Sequence, residues 1–165
     1  MVDLICSENL QPSLLDRLTD NQPDKRQESR DERTLNFRRL KQSVVRDLEW
    51  LLNSGSLSPA ENLSDFPEIR HSVLNYGVSG LVGSHVSGVE PEMVVKMLRQ
   101  AVIDFEPRIL PATLSIRIIE SEDSNPMNNL AFEIEGQLWA HPLPEHLHVR
   151  TTMDLELGTF EIKAS

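Results

Sequence analysis

The segment Phe105-Glu106-Pro107-Arg108 sets a carboxylate and a guanidinium on either side of one rigid residue. Glutamate is an acceptor-only anion, and arginine offers five donors in a planar fork that matches a carboxylate edge to edge. Pro107 has no N–H to donate and disfavours helical geometry at the residue before it. A helix arriving through Met97, Leu98, Ala101, Val102 and Phe105 is therefore predicted to stop here. Two chemistries fit. In one, Glu106 and Arg108 decorate a helix C-terminus and Arg108 offsets the negative end of its dipole. In the other, Arg108 forks onto a partner's carboxylate while Glu106 accepts a partner's donor, which gives directional docking. Either way the bend is expected at the surface, where Arg108→Ala moves stability by only about 0.5 kcal/mol.

The remaining reactive residue types form no catalytic or metal constellation. His141, His146 and His148 lie close together, and the last two share one face if they lie on a strand. That spacing permits zinc, but Pro142 and Pro144 stiffen the loop, no thiolate is near, and Glu145 is the one carboxylate at hand. They read as solvated loop histidines. Glu133 and Glu135 share a strand face at the scale of a glycosidase pair, yet the outward face of an amphipathic strand is where glutamates belong. There is no glycine-rich phosphate loop, no G-x-S-x-G elbow and no H-E-x-x-H. No catalytic residue, no metal site and no cofactor is predicted.

Composition narrows the partners. The 165 residues suit one domain, or one domain with an ordered appendage, and the formal charge of −10 argues against a phosphate backbone as partner. Aromatic residues make up 5% of the chain, too few for a platform of stacked bases. Cys6 is the single cysteine, so no intrachain disulfide can form, and a reducing, cytoplasmic setting is expected. No basic leader followed by a long apolar run is present, nor a segment that would insert in a bilayer.

Hydrophobic periodicity supplies the elements that must hold the bend. Leu10, Leu14, Leu15 and Leu18, with Pro12 and Ser13 as caps, predict a short docking helix. From Asp20 to Arg33 there is no aliphatic or aromatic side chain, which predicts a flexible charged linker and sets residues 1–33 apart from a domain over 34–165. Leu35, Leu40, Val44, Val45, Leu48, Leu51 and Leu52 predict a helix of about 20 residues, roughly 30 Å long. Asn53-Ser54-Gly55 stops it. Ser72 to Gly77 reads as a short turn ended by glycine. A second long helix begins near Ser87, whose spacing to Glu90 fits a capping box, and runs to the bend. Beyond it, alternation at Leu114 to Ile118, Leu130 to Leu138 and Leu147 to Leu157 predicts strands. Gly158 is a bulge or a turn that returns Phe160 and Ile162 to the core. The fold class is thus α+β: two main helices on a small antiparallel sheet of about three strands. The sheet leaves edges, and the acidic run Asp154, Glu156 and Glu161 is expected to guard one against self-pairing while admitting a partner strand.

In order along the chain, Leu14-Leu15-Asp16-Arg17-Leu18, the helix Ser43-Val44-Val45-Arg46-Asp47-Leu48-Glu49-Trp50-Leu51-Leu52, Ser72-Val73-Leu74-Asn75-Tyr76-Gly77, Glu106-Pro107-Arg108 and Phe132-Glu133-Ile134-Glu135-Gly136 resemble the TssE family. These are type VI secretion baseplate subunits, similar to the lysozyme-like wedge protein of contractile phage tails. The resemblance spans about Leu14 to Gly158. It implies a non-enzymatic part that joins the wedge proteins TssF and TssG, with TssK in the same assembly, to the first ring of the TssB/TssC sheath. The baseplate would dock at the inner face of the inner membrane. The resemblance assigns Glu106, Pro107 and Arg108 to partner binding. Tyr76 and Gly77 match a family motif, although a buried tyrosine before a glycine turn explains them equally well. The family's lysozyme-like label implies one alternative, local cleavage of peptidoglycan glycan during assembly.

Overall fold

A computed structural model describes residues 13–19, 37–58, 61–78, 90–120, 129–140 and 144–164. The expected linker, Ser87 and His141 lie outside these residues. Four helices, α1 (Leu14–Leu18), α2 (Phe37–Leu52), α3 (Pro67–Arg70) and α4 (Pro91–Phe105), precede four strands among the described residues. The strands are β1 (Ser115–Ile119), β2 (Asn129–Leu138), β3 (Glu145–Asp154) and β4 (Thr159–Ala164).

α2 buries Leu40, Val44, Leu48, Leu51 and Leu52, one stripe at helical spacing, against the sheet. It stops where the sequence predicts: Asn53 and Ser54 donate back into the last turn, and Gly55 bridges to Val78. Gly77 lies at φ 120°, and a Cβ there would come within 2.3 Å of the Ser54 carbonyl oxygen. The Ser72–Gly77 turn is thereby held tightly on the end of α2. Asn75, buried, clamps the same turn by accepting from the Ser58 N–H and donating to the Arg70 carbonyl, both at 2.9 Å.

α4 has Pro91 in its first turn, as expected, but the cap position is Glu90 itself, and its side chain makes no capping bond. The predicted capping box would have put Glu90 inside the helix. Val94, Leu98, Ala101 and Val102 are buried, with Met97 and Phe105 partly so. The helix ends at Phe105, and Glu106 leaves helical geometry with φ −122° and ψ 74°, the restriction imposed by the following proline.

The sheet is fully antiparallel in the order β1-β2-β3-β4. It has four strands where about three were expected. Gly158, at φ 66°, makes a turn and not a bulge, and the Asp154 carboxylate caps it by accepting from the Glu156 and Leu157 N–H groups. The chain reverses, and Thr159–Ala164 becomes a separate strand with Phe160 in the core, as the phase shift requires. This also relocates the acidic run. β3 is interior, so Asp154 ends an inner strand, Glu156 is in the turn, and Glu161 alone of the three lies on an edge strand.

β2 and β3 present Phe132, Ile134, Leu138, Leu147, Val149 and Met153 to the helices, each with no exposed surface. The sheet's other face carries Arg117, Glu133, Glu135, His148 and Arg150. α4 lies over β1 and α2 over β4. The edge strand β4 is tied to the helix layer by one side chain: Asn53 donates to the Phe160 carbonyl and accepts from its N–H, both at 2.9 Å.

Candidate functional site at the bend after α4

The bend is anchored by main chain before any side chain acts. The Glu106 N–H closes onto Val102 at 2.9 Å, and the Arg108 carbonyl accepts from the Trp139 N–H at 2.8 Å. The Leu110 N–H donates to Gln137, so residues 108–110 continue along β2 beyond the start of β1. Gly136 permits this approach, since a Cβ there would sit 3.0 Å from the Ile109 side chain. The Glu-Pro-Arg bend is thus clamped between α4 and the sheet.

Within this frame the ion-pairing fork closes on itself. Arg108 Nε donates to Glu106 Oε1 at 2.6 Å, and Nη2 donates to Glu106 Oε2. The same Nη2 donates to Asp47 Oδ2 on α2 at 2.6 Å, and Nη1 reaches the buried Ser43 hydroxyl at 3.3 Å. Glu106 is 3% exposed and Pro107 is exposed; Arg108 lies between these extremes. Burial alone would lower the Arg108 pKa, but the Glu106 and Asp47 carboxylates outweigh it and hold the guanidinium firmly protonated. Both sequence-level chemistries are therefore modified. Arg108 does more than offset the dipole of α4, because it bridges to α2, and Glu106 spends its acceptors inside the chain. The expectation of a silent Arg108→Ala is revised too. Removing the guanidinium would strand a buried carboxylate, which costs on the order of 2 kcal/mol or more.

The network continues outward. Asp47 Oδ1 accepts from Arg46 Nε and Nη2 at 2.9 and 2.7 Å, and Arg46 Nη1 donates to Asp16 Oδ1 at 2.6 Å. Ser13 caps α1 by accepting from the Asp16 N–H, and its own hydroxyl donates to Asp16 Oδ2. Burial opposes ionisation of Asp16, but its bonds to Arg46 and Ser13 prevail and hold its carboxyl below the usual range. Alternating charges thus run Asp16, Arg46, Asp47, Arg108, Glu106, from the N-terminal helix to the bend. Arg46 also stacks over Trp50, 5.2 Å from the ring centre. Beside them opens a cleft of about 440 Å³, lined by Leu15, Trp50, Tyr76, Phe105 and Pro107 together with the ion-paired Asp47, Glu106 and Arg108. Tyr76 meets Phe105 edge to face at 5.3 Å.

In the sequence Arg46 and Asp47 appear only within the family-like segment Ser43 to Leu52, with no contact assigned to them. The available signal was their place, with Ser43, one turn apart on α2 and beside the stripe of Leu40, Val44, Leu48, Leu51 and Leu52 that it buries. The histidine and glutamate candidates fall elsewhere. On the open sheet face, Arg117 Nη2 bridges Glu133 and Glu135 at 3.0 and 2.7 Å, and His148 Nε2 lies 2.8 Å from Glu133. The ligand atoms of Glu133, Glu135 and His148 come within 4.8 Å of one another, but the arginine already occupies both carboxylates. The His148 hydrogen bond, aided by Arg117 against a weaker effect of burial, holds Glu133 below the ordinary carboxylate range. A glycosidase acid needs the opposite shift. His146 is exposed on β3, so neither it nor His148 is the loop histidine that was expected.

The chain is an α+β domain with a charge-locked bend beside a cleft. The chain belongs to the family of the baseplate wedge protein gp25, which it matches over residues 38–143, well over half its length, and which includes TssE. No curated protein and no solved structure matches it. It is accordingly a phage baseplate wedge-like structural component. Among the described residues no helix is long and apolar enough to cross a membrane.

The cleft offers its own reporter, because Tyr76 is the single tyrosine of the chain. Burial, and then the Asp47 and Glu106 carboxylates, push its phenol above the ordinary value of 10.0. A neutral group whose pKa is raised on folding adds stability that is complete below the unfolded pKa and lost as pH climbs through the folded one. Ultraviolet titration of tyrosinate should give a later midpoint in the native protein than in the urea-unfolded chain. Coincident midpoints would mean that Tyr76 does not sit beside these carboxylates.

Proposed function

We propose that this chain is the baseplate subunit of a type VI secretion system that links the TssF/TssG wedge, with TssK in the same assembly, to the first ring of the TssB/TssC sheath. It works as a non-enzymatic connector in the cytoplasm, in a baseplate held against the inner face of the inner membrane. The observation that carries this reading is the Glu-Pro-Arg bend, placed in a chain of the gp25 family and locked to two layers of the fold. Pro107 and the open side of Arg108 make the wedge contact, and Glu106 fixes the guanidinium that makes it. A preorganised arginine loses little entropy on binding, which favours affinity without large area. The rival reading, hydrolysis of peptidoglycan glycan, gains nothing from the two glutamates it would draw on: Glu133 is held low and ion-paired, and Glu106 is buried under Arg108.

The second contact is strand addition at β4. Since the Phe160 N–H and carbonyl both face Asn53, alternation turns those of Ile162 toward the same open edge. An extended sheath segment can pair there, beyond the part that Asn53 occupies.

Each contact has its own test. Tagged chain should recover TssF and TssG from cell extract, and Arg108→Lys, which keeps the charge and loses the fork, should reduce that recovery about tenfold. Recovery at the wild-type level would refute the wedge contact. Ile162→Pro, which removes an edge donor, should spare wedge recovery and stop sheath polymerisation, provided circular dichroism shows a native sheet. Sheath of normal length in that variant would count against strand addition.

A further inference from the structure

Asn53 stands where a residue of a neighbouring strand would. Its Nδ2 donates to the Glu49 carbonyl in the last turn of α2 and to the Phe160 carbonyl on β4, each at 2.9 Å. Its Oδ1 accepts from the Phe160 N–H at the same distance. One side chain thus exchanges with Phe160 the two bonds that an adjacent strand would exchange, and its remaining amide hydrogen fixes it to α2. Phe160 turns its main-chain groups away from β3, so alternation turns those of Ile162, and of Ala164 at the strand's end, to the same side. Among the described residues no hydrogen bond is made to that edge beyond Phe160. A strand added to β4 therefore finds its first place already filled.

We infer that Asn53 sets the register of the strand added at β4, and that the incoming sheath segment carries a carboxylate beside Lys163 and, next to it in sequence, an apolar residue beside Ile162. The inference rests on the reading that a sheath segment pairs with β4. A slip of one residue would exchange the two faces of the incoming strand, and a short edge fixes register poorly by itself. A side chain that fills the first place on the edge decides where pairing begins. The side chains of β4 then state what fits beside them. Ile162 packs partly against the core, whereas Glu161 and Lys163 are exposed on the other face. Lys163 lies directly across from Arg150 of β3, and like charges so placed disfavour each other. The flank of Lys163 away from Arg150 is the one an added strand covers, and a carboxylate there offsets the repulsion.

The test is amide hydrogen exchange, resolved to single residues, in the full chain alone and with purified TssB–TssC sheath protein. In the unaltered chain the sheath protein should slow the Ile162 amide about tenfold or more and leave Phe160, already bonded to Asn53, at its free rate. This measurement needs no variant. In Asn53→Ala the Phe160 amide should exchange quickly in the free chain and be slowed about tenfold by sheath protein, because pairing extends over the vacated place. Slowing of Phe160 in the unaltered chain would overturn the role of Asn53. So would a variant in which sheath protein slows Ile162 but not Phe160. Lys163→Glu should weaken the complex about tenfold at low salt, and affinity equal to wild type would overturn the carboxylate beside Lys163. If Ile162 is not slowed in the unaltered chain, strand addition itself fails and this inference fails with it.

Discussion

One guanidinium ties the two halves of this fold together. Arg108 leaves the end of α4, grips the Glu106 carboxylate two residues back, and reaches Asp47 in the middle of α2. The bend cannot swing, because its main chain is also bonded to Gln137 of β2 and to Trp139 just beyond it. Helix α2, helix α4 and the sheet therefore converge on a few polar atoms at the edge of an apolar core. A buried carboxylate is tolerated only when it is paired and its lone pairs are used. Glu106 meets both conditions through a single neighbour. The benefit is geometric: the outward features, Pro107 and the rim of the cleft, stand on a base with one arrangement.

That arrangement suits a part in a large assembly better than an active site. Catalysis requires groups whose protonation can change near working pH, whereas the carboxylates here are matched by permanent cations. Arg117 does the same for Glu133 on the open sheet face. A connector requires surfaces that do not rearrange, and binding to a preorganised surface loses less entropy. The polar chain from Asp16 to Glu106 also means that the N-terminal helix and the bend share one electrostatic environment.

Much of the fold was legible in the sequence because its signals were local. Pro107 stopped α4, Asn53-Ser54-Gly55 stopped α2, and the alternation at Leu130 to Leu138 and Leu147 to Met153 gave β2 and β3. The fourth strand was harder to see. Gly158 marked a break, but a bulge and a reversal share that signal, and only the capping of the turn by Asp154 decides between them. The position of the tripeptide was legible too, while its inward orientation was not. Its direction depends on Asp47, 61 positions away in sequence, and on Ser43, and no local pattern reports such a pairing. The same holds for Asn53, visible as a helix stop but not as the clasp of β4.

The bridge from the bend to α2 is tested most directly by a double-mutant cycle on Asp47 and Arg108, with urea unfolding of the two alanine variants and their combination. If the pair binds the helices as described, the cycle should return a coupling of about 1–3 kcal/mol, the double variant losing less than the sum of the two. Additivity within about 0.5 kcal/mol would contradict it, and would reduce the bend to a helix terminus with charges that do not depend on α2.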